Sequence, residues 1–243
     1  MQRFPLYLLS LVLLNSMTFA QDRIPTQPNT LTRQETRQQY ELLFDGKQID
    51  SEIWQGANND YKVVEGTMVC DPGGIMLTKK EYKDFVFRCE FKLPPGGNNG
   101  IGIRTKMGVR PSYNGGEIQI LDDQHEKYKT WLKDFQRHGA LYGAVPPLLN
   151  ALKPTGEWNT QEVIVYGNKI RVTVNQQVVL DTDITDFVNG AKKPLDDKEH
   201  IFNEKGLVGF LGHNDPVVFR TVRIKEIQNE QEYERLISPR GSQ

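Results

Sequence analysis

The chain has 243 residues, with 30 basic against 31 acidic side chains and a net charge of −1. That balance leaves no broad basic surface for nucleic acid or an anionic membrane. Two cysteines without clustered histidines give no metal motif, and the length suits one sizeable core, as in single-domain β-sandwiches.

In chain order, Met1-Gln2-Arg3 leads into an apolar run from Phe4 to Leu14, interrupted only by Ser10, and Thr18-Phe19-Ala20 offers small residues at an exit. This is the pattern of a secretory signal peptide, residues 1–20, cleaved after Ala20. The expected location is therefore periplasmic or secreted. The run is well short of the ~20 residues that span a bilayer. Residues 21–38, rich in Gln, Thr, Arg and Pro, read as a polar linker or loosely held arm. The folded domain is expected over 39–229 and a tail over 230–243.

From Tyr40 onward, strand follows strand, each closed by Gly, Pro or Asn. Tyr61 to Val69 reads as two short strands joined at Glu65-Gly66. Phe85 to Leu93 alternates, placing Phe85, Phe87, Cys89, Phe91 and Leu93 on a buried face. Gly100-Ile101-Gly102-Ile103-Arg104-Thr105 is a strand with little bulk on one face, where a ligand could approach the backbone. Gly167-Asn168 joins two more strands as a hairpin. Helix is expected only over 126–138 and 228–236, and residues 189–205 read as a charged, solvated loop. Short strands at regular spacing predict an all-β, two-sheet antiparallel jelly-roll sandwich. In an oxidising compartment Cys70 and Cys89 could close a loop of about twenty residues, worth ~3 kcal/mol; the alternative is two buried free thiols.

The segment Gly115-Gly116-Glu117-Ile118-Gln119-Ile120-Leu121-Asp122-Asp123 is the strongest candidate for a site. Strand alternation puts Glu117 and Gln119 on one face and Ile118 and Ile120 on the other. Asp122 joins the Glu117 face only if a bulge falls at Leu121. With that bulge, the strand has the outline of laminarinase-type glycosidases, whose paired carboxylates permit double displacement. Gln119, however, stands where an acid would be needed. Without the bulge, the strand carries a polar, solvated face.

Several segments together carry a closer resemblance: Leu43-Phe44-Asp45-Gly46, Asn99-Gly100-Ile101-Gly102-Ile103-Arg104, Glu117 to Asp122, Gly139-Ala140-Leu141-Tyr142-Gly143, Gly156-Glu157-Trp158-Asn159 and Phe219 to Ile224. In this order and spacing the chain resembles the 3-keto-disaccharide hydrolase domain family over roughly Tyr40 to Ile227. The resemblance implies a concanavalin-like jelly roll acting on glycosides whose sugar carries a ketone at C3. It also implies a Gln two residues before His213, where this chain has Leu211.

A C3 ketone acidifies the C2 hydrogen, so such a site needs one base, a donor for the enolate oxygen and an acid for the leaving group. Glu117, His138 and His213 are the candidate proton-transfer groups, with Arg104 as the oxyanion donor. Gln119, Asp122, Asn99, Tyr142 and Tyr113 are the candidate substrate contacts. His125 and His200 lie in charged stretches and read as solvated, and Trp158 as an anchor. Asp181-Thr182-Asp183-Ile184-Thr185-Asp186 has oxygen ligands at close spacing but reads first as a polar turn. No cofactor is expected, and a structural Ca²⁺ is left open without a motif. The expected partner is an oligosaccharide or glycoside, with neither nucleic acid nor a membrane span. The alternatives are a noncatalytic carbohydrate-binding module on the same sandwich and an ordinary glycosidase using Glu117 and Asp122.

Overall fold

The computed structural model describes residues 27–56, 60–71 and 73–238; the expected signal segment lies outside them. Among the described residues, thirteen strands form two antiparallel sheets. They are β1 (Glu41–Leu42), β2 (Trp54–Gly56), β3 (Tyr61–Val64), β4 (Thr67–Cys70), β5 (Ile75–Thr78), β6 (Phe85–Lys92) and β7 (Asn98–Thr105). Then come β8 (Glu117–Leu121), β9 (Trp158–Tyr166), β10 (Lys169–Val174), β11 (Gln177–Asp183), β12 (Leu207–Leu211) and β13 (Val218–Glu226). The large sheet runs β11-β10-β9-β6-β13-β4-β3, with β1 also beside β13; the small sheet runs β2-β5-β12-β7-β8. This is the jelly-roll sandwich that the strand spacing predicts.

The inner faces follow from alternation. On β6, Phe85, Phe87, Cys89 and Phe91 point inward, and Leu93 continues the row. They meet Phe210 of β12 and Ile118 and Ile120 of β8 in one core. Phe210 stacks on Phe219 of β13 with centroids 3.9 Å apart, tying the sheets face to face. The β3–β4 turn places Glu65 and Gly66 at φ +48° and +73°, the backbone that a two-residue hairpin demands. Cys70 and Cys89 are free and buried. Because β13 lies between β4 and β6, the two cysteines stand about two strand spacings apart, beyond disulfide reach.

Four expectations are corrected. Residues 27–38 are docked rather than loose. Asn29 accepts from Thr221 N (2.8 Å) and donates to Gly66 O (2.7 Å), plugging the irregularity where β13 shifts register. Helix α1 (Arg33–Arg37) follows, with Thr32 and Glu35 forming a reciprocal cap. Between 126 and 138 there are only two short 3₁₀ turns, Glu126–Tyr128 and Asp134–Gln136. Tyr128, Phe135 and His138 are each drawn inward by a different neighbour, so no single helical face forms. Residues 189–205 do not float free: Asp196 N bonds Gly143 O (3.0 Å) and Ile201 N bonds Tyr113 O (2.9 Å).

The Asp-rich segment, expected as a polar turn, is instead the end of β11 and, after Ile184, the start of a short helix. Asp181 accepts from Arg171 (2.7 Å), while Asp183 accepts from Thr185 N (2.8 Å) and opens helix α2 (Thr185–Val188). At the chain's end, Asn229 caps helix α3 (Glu230–Ile237), close to the expected bounds. Tyr233 stacks on Tyr166, fixing α3 to the outer face of the large sheet.

Candidate active site

The outer face of the small sheet holds the site. On β8, Glu117 and Gln119 project outward in strict alternation while Ile118 and Ile120 enter the core. The β7–β8 register pairs Gly102 with Glu117 and Gly100 with Gln119. The glycines clear the floor. A Cβ on Gly100 would sit 2.2 Å from Glu117 Oε1, so the carboxylate can lie across β7 only because that residue is glycine. Its approach takes it toward His213, whose Nε2 stands 3.6 Å from Glu117 Oε1.

Glu117 is 3% exposed, and Oε1 accepts no hydrogen bond among the described residues. His213 is the open member of the pair, with 47% of its side chain exposed. The turn carrying it is seated tightly. Gly212 N bonds Gly74 O (3.0 Å), and a Cβ on Gly212 would meet Cys70 Sγ at 2.6 Å. Burial pushes the Cys70 thiol upward, so it stays protonated at neutral pH and acts as packing. Leu211 joins Leu77 and Leu207 in an apolar patch over Gly102, where the resemblance implies a Gln. The floor beside the pair is therefore hydrocarbon.

Gln119 donates to Asn98 Oδ1 (2.9 Å), and its own Oε1 is buried without a partner among the described residues. Asn98, which sequence reasoning passed over in favour of Asn99, is the asparagine on the site face. The parity of Asn98, Gly100 and Gly102 was the available signal. Beyond β8, residues 139–142 extend the sheet edge: Tyr142 N bonds Glu117 O (2.9 Å), and Leu141 pairs with Ile118. This register sets Tyr142 opposite Glu117 on the outward face. Its hydroxyl accepts from Gln136 Nε2 (3.1 Å).

Five expected residues are elsewhere. The β7–β12 pairing shifts register near Arg104, whose φ is +48°, and the side chain swings out of the groove row. Its guanidinium bonds Lys83 O (2.6 Å), Gly167 O (2.6 Å) and Asp84 Oδ1 (3.0 Å), so it braces two loops and cannot serve an oxyanion at Glu117. His138 is in the interior against Phe91 (5.4 Å), with Nδ1 accepting from Leu121 N (3.2 Å). Burial lowers its pKa to about 3, which keeps it neutral.

Asn99 faces the core, fully buried, with Nδ2 3.5 Å from Cys70 Sγ. No bulge interrupts β8, so Asp122 stays off the Glu117 face and holds Gly96 N (2.8 Å) and Thr155 Oγ1 (3.2 Å). A Glu117–Asp122 glycosidase pair is thereby removed. Tyr113 lies in the turn between β7 and β8, edge-on to His200 (4.9 Å). Burial raises its pKa, Arg110 opposes, and the Asp196 carboxylate adds to the rise. His200, expected to be solvated, has a side chain only 2% exposed and pairs with Asp196 Oδ1 (3.1 Å). Trp158 is an anchor on the outer face of the large sheet, with Arg220 3.9 Å over its ring.

A jelly-roll sandwich with a carboxylate–imidazole pair, an amide pair and a tyrosine on its smaller sheet defines the class. The chain belongs to the 3-keto-alpha-glucoside-1,2-lyase-like domain family, whose profile matches residues 39–225. A 3-keto-disaccharide hydrolase of Bacteroides thetaiotaomicron is 26% identical over 227 residues, covering 76% of this chain and 78% of the relative. Two crystal structures of candidate glycosyl hydrolases from Parabacteroides distasonis share the fold. One has a TM-score of 0.71 at 24% identity, covering 83% of this chain and all of the other. The second has a TM-score of 0.67 at 26% identity, covering 78% and all of the other.

Proposed function

We propose that this protein is an exported enzyme that cleaves the glycosidic bond of 3-keto-glycosides. The observation that carries the reading is the buried Glu117 carboxylate, with one oxygen that accepts no hydrogen bond among the described residues, facing the half-exposed His213 ring. An unsatisfied buried carboxylate costs folding energy, so its retention beside an imidazole points to chemistry. Membership of the family and the name of the Bacteroides relative direct that chemistry to 3-keto sugars.

In this reading His213, the member of the pair that a sugar can touch, removes the C2 proton, and Glu117 stabilises the imidazolium. The C2–H electrons form the C2–C3 enolate, whose oxygen takes hydrogen bonds from the Asn98 and Gln119 amides. The enolate reforms the ketone and expels the C1 oxygen, leaving a C1–C2 double bond. Tyr142, opposite Glu117, gives the departing oxygen its proton. Water then adds at C1, C2 regains a proton, and the net reaction is hydrolysis. These steps are proton transfers and the addition of water, and they call on no cofactor.

The test is incubation with a 3-keto-glucoside and with its unoxidised parent, following release of the leaving group. Release from the ketone alone is expected, and its loss in Glu117→Gln. Release from the parent alone overturns the ketone mechanism, and release from neither leaves a carbohydrate-binding role.

A further inference from the structure

Beyond Tyr142, on the side away from β8, lies a groove that the steps above do not use. Leu132, Phe135, Pro146 and Leu195 line it, together with Lys133 and Asp134, around a volume of about 470 Å³. It is continuous with the site through one stretch of chain. Gly143, next to Tyr142, donates its N–H to Phe135 O (3.2 Å) and accepts at its carbonyl from Asp196 N (3.0 Å). The Tyr142 hydroxyl is held by Gln136, next to Phe135.

The far wall is built. Asp196 binds His200, His200 packs on Tyr113, and Ile201 bonds both Tyr113 O and Gly115 N. Gly143 has no side chain where a Cβ would stand 2.5 Å from Asp196 Oδ2, which lets the wall close on the sheet edge. Leu195, next to the anchored Asp196, is an apolar side chain, 48% exposed, in a segment whose composition reads as a polar loop. Exposed hydrocarbon held in place beside a polar site marks a ligand surface.

We infer that this groove is the leaving-group subsite and that it receives an apolar, ring-sized aglycone. The inference rests on the proposed cleavage of 3-keto-glycosides, with the sugar over Glu117 and the C1 oxygen at Tyr142. A saccharide leaving group needs several convergent hydrogen-bonding groups. Among the described residues, the polar side chains that line it are the exposed Lys133 and Asp134, beside four apolar side chains that offer one face to a hydrocarbon ring.

Benzyl and methyl 3-keto-glucosides test it, because their alcohols leave with similar ease and differ in the ring. The wild-type enzyme should show a KM about tenfold lower for the benzyl compound, as burial of one ring predicts. Leu195→Glu should erase that preference while leaving kcat and KM for the methyl compound unchanged, and Leu195→Met should restore it. Equal KM values in the wild type, or a Leu195→Glu variant slowed equally on both, would overturn the subsite. Calorimetric binding of unoxidised benzyl and methyl glucosides separates the two ideas. Benzyl preference that Leu195→Glu abolishes supports the groove even where neither ketone turns over, a result that removes the function alone. Equal binding of the two glucosides overturns the groove.

Discussion

Glu35 and Glu117 are buried almost equally, at 2% and 3% exposure, over opposite sheets of one sandwich, and they are served in opposite ways. Glu35 receives Arg223 Nε (2.6 Å), Arg88 Nη1 (3.0 Å) and Thr32 N (3.0 Å). Burial alone would raise its pKa, but Arg223, the Thr32 N–H and Arg88 outweigh that and hold it below the usual carboxylate range. Glu117 has a histidine at 3.6 Å and, among the described residues, no hydrogen bond to Oε1. A fully paired buried carboxylate organises structure, whereas one left unpaired beside an open imidazole is available for chemistry.

The contrast breaks most plainly by substitution. Glu117→Gln should lower kcat on a 3-keto-glucoside by roughly 10²–10⁴-fold, the range for disabling a histidine base through loss of its carboxylate partner, with no loss in urea-unfolding stability. Glu35→Ala should do the reverse. Removing one partner of a buried network costs about 3–5 kcal/mol, read by urea unfolding, with unchanged kcat per folded molecule. If Glu35→Ala abolished turnover while stability held, the division between the two carboxylates would fail.

Gly100→Ala sharpens the site half. Its new methyl would force Glu117 off its present path, with an expected fall in kcat/KM of about 10²-fold, as misplacement of a catalytic group costs. Far-UV circular dichroism should not change.

The smallest effect is on pH. His138 is held neutral by burial, with a pKa of about 3, while an unfolded histidine titrates near ~6.5. Its folded pKa is depressed, so below ~6.5 only the unfolded chain takes the proton and stability falls as pH drops. The slope approaches about 1.4 kcal/mol per pH unit, or roughly 2 kcal/mol between pH 6.5 and 5. His138→Gln should flatten that dependence in urea titrations across the same window, and an unchanged slope would contradict the assignment.

Much of this was legible in the chain. Alternation alone placed Phe85, Phe87, Cys89 and Phe91 inside and Glu117 with Gln119 outside. The same parity identifies Asn98 rather than Asn99 as the site asparagine. Arg104 was not legible, because its positive φ and the β7–β12 shift arise only when the two strands pair. Nor was the meeting of His213 with Glu117, which depends on a turn seated on Cys70 through two glycines far apart in the chain. The 126–138 segment misled because it contains good helix formers, and tertiary demands on Tyr128, Phe135 and His138 overrode them. Leu195 was hidden among charges, and its role as a wall emerges only from the Asp196–Gly143 contact.

The most direct test of the Glu117–His213 account is turnover of a 3-keto-glucoside in D₂O, with the product analysed at C2 by NMR. Proton removal at C2 followed by hydration predicts one deuterium at C2 of the released 3-keto sugar, formed faster than exchange of free product and lost with turnover in Glu117→Gln. Full retention of the C2 hydrogen in the hydrolysed product would show direct displacement at C1 and contradict the account.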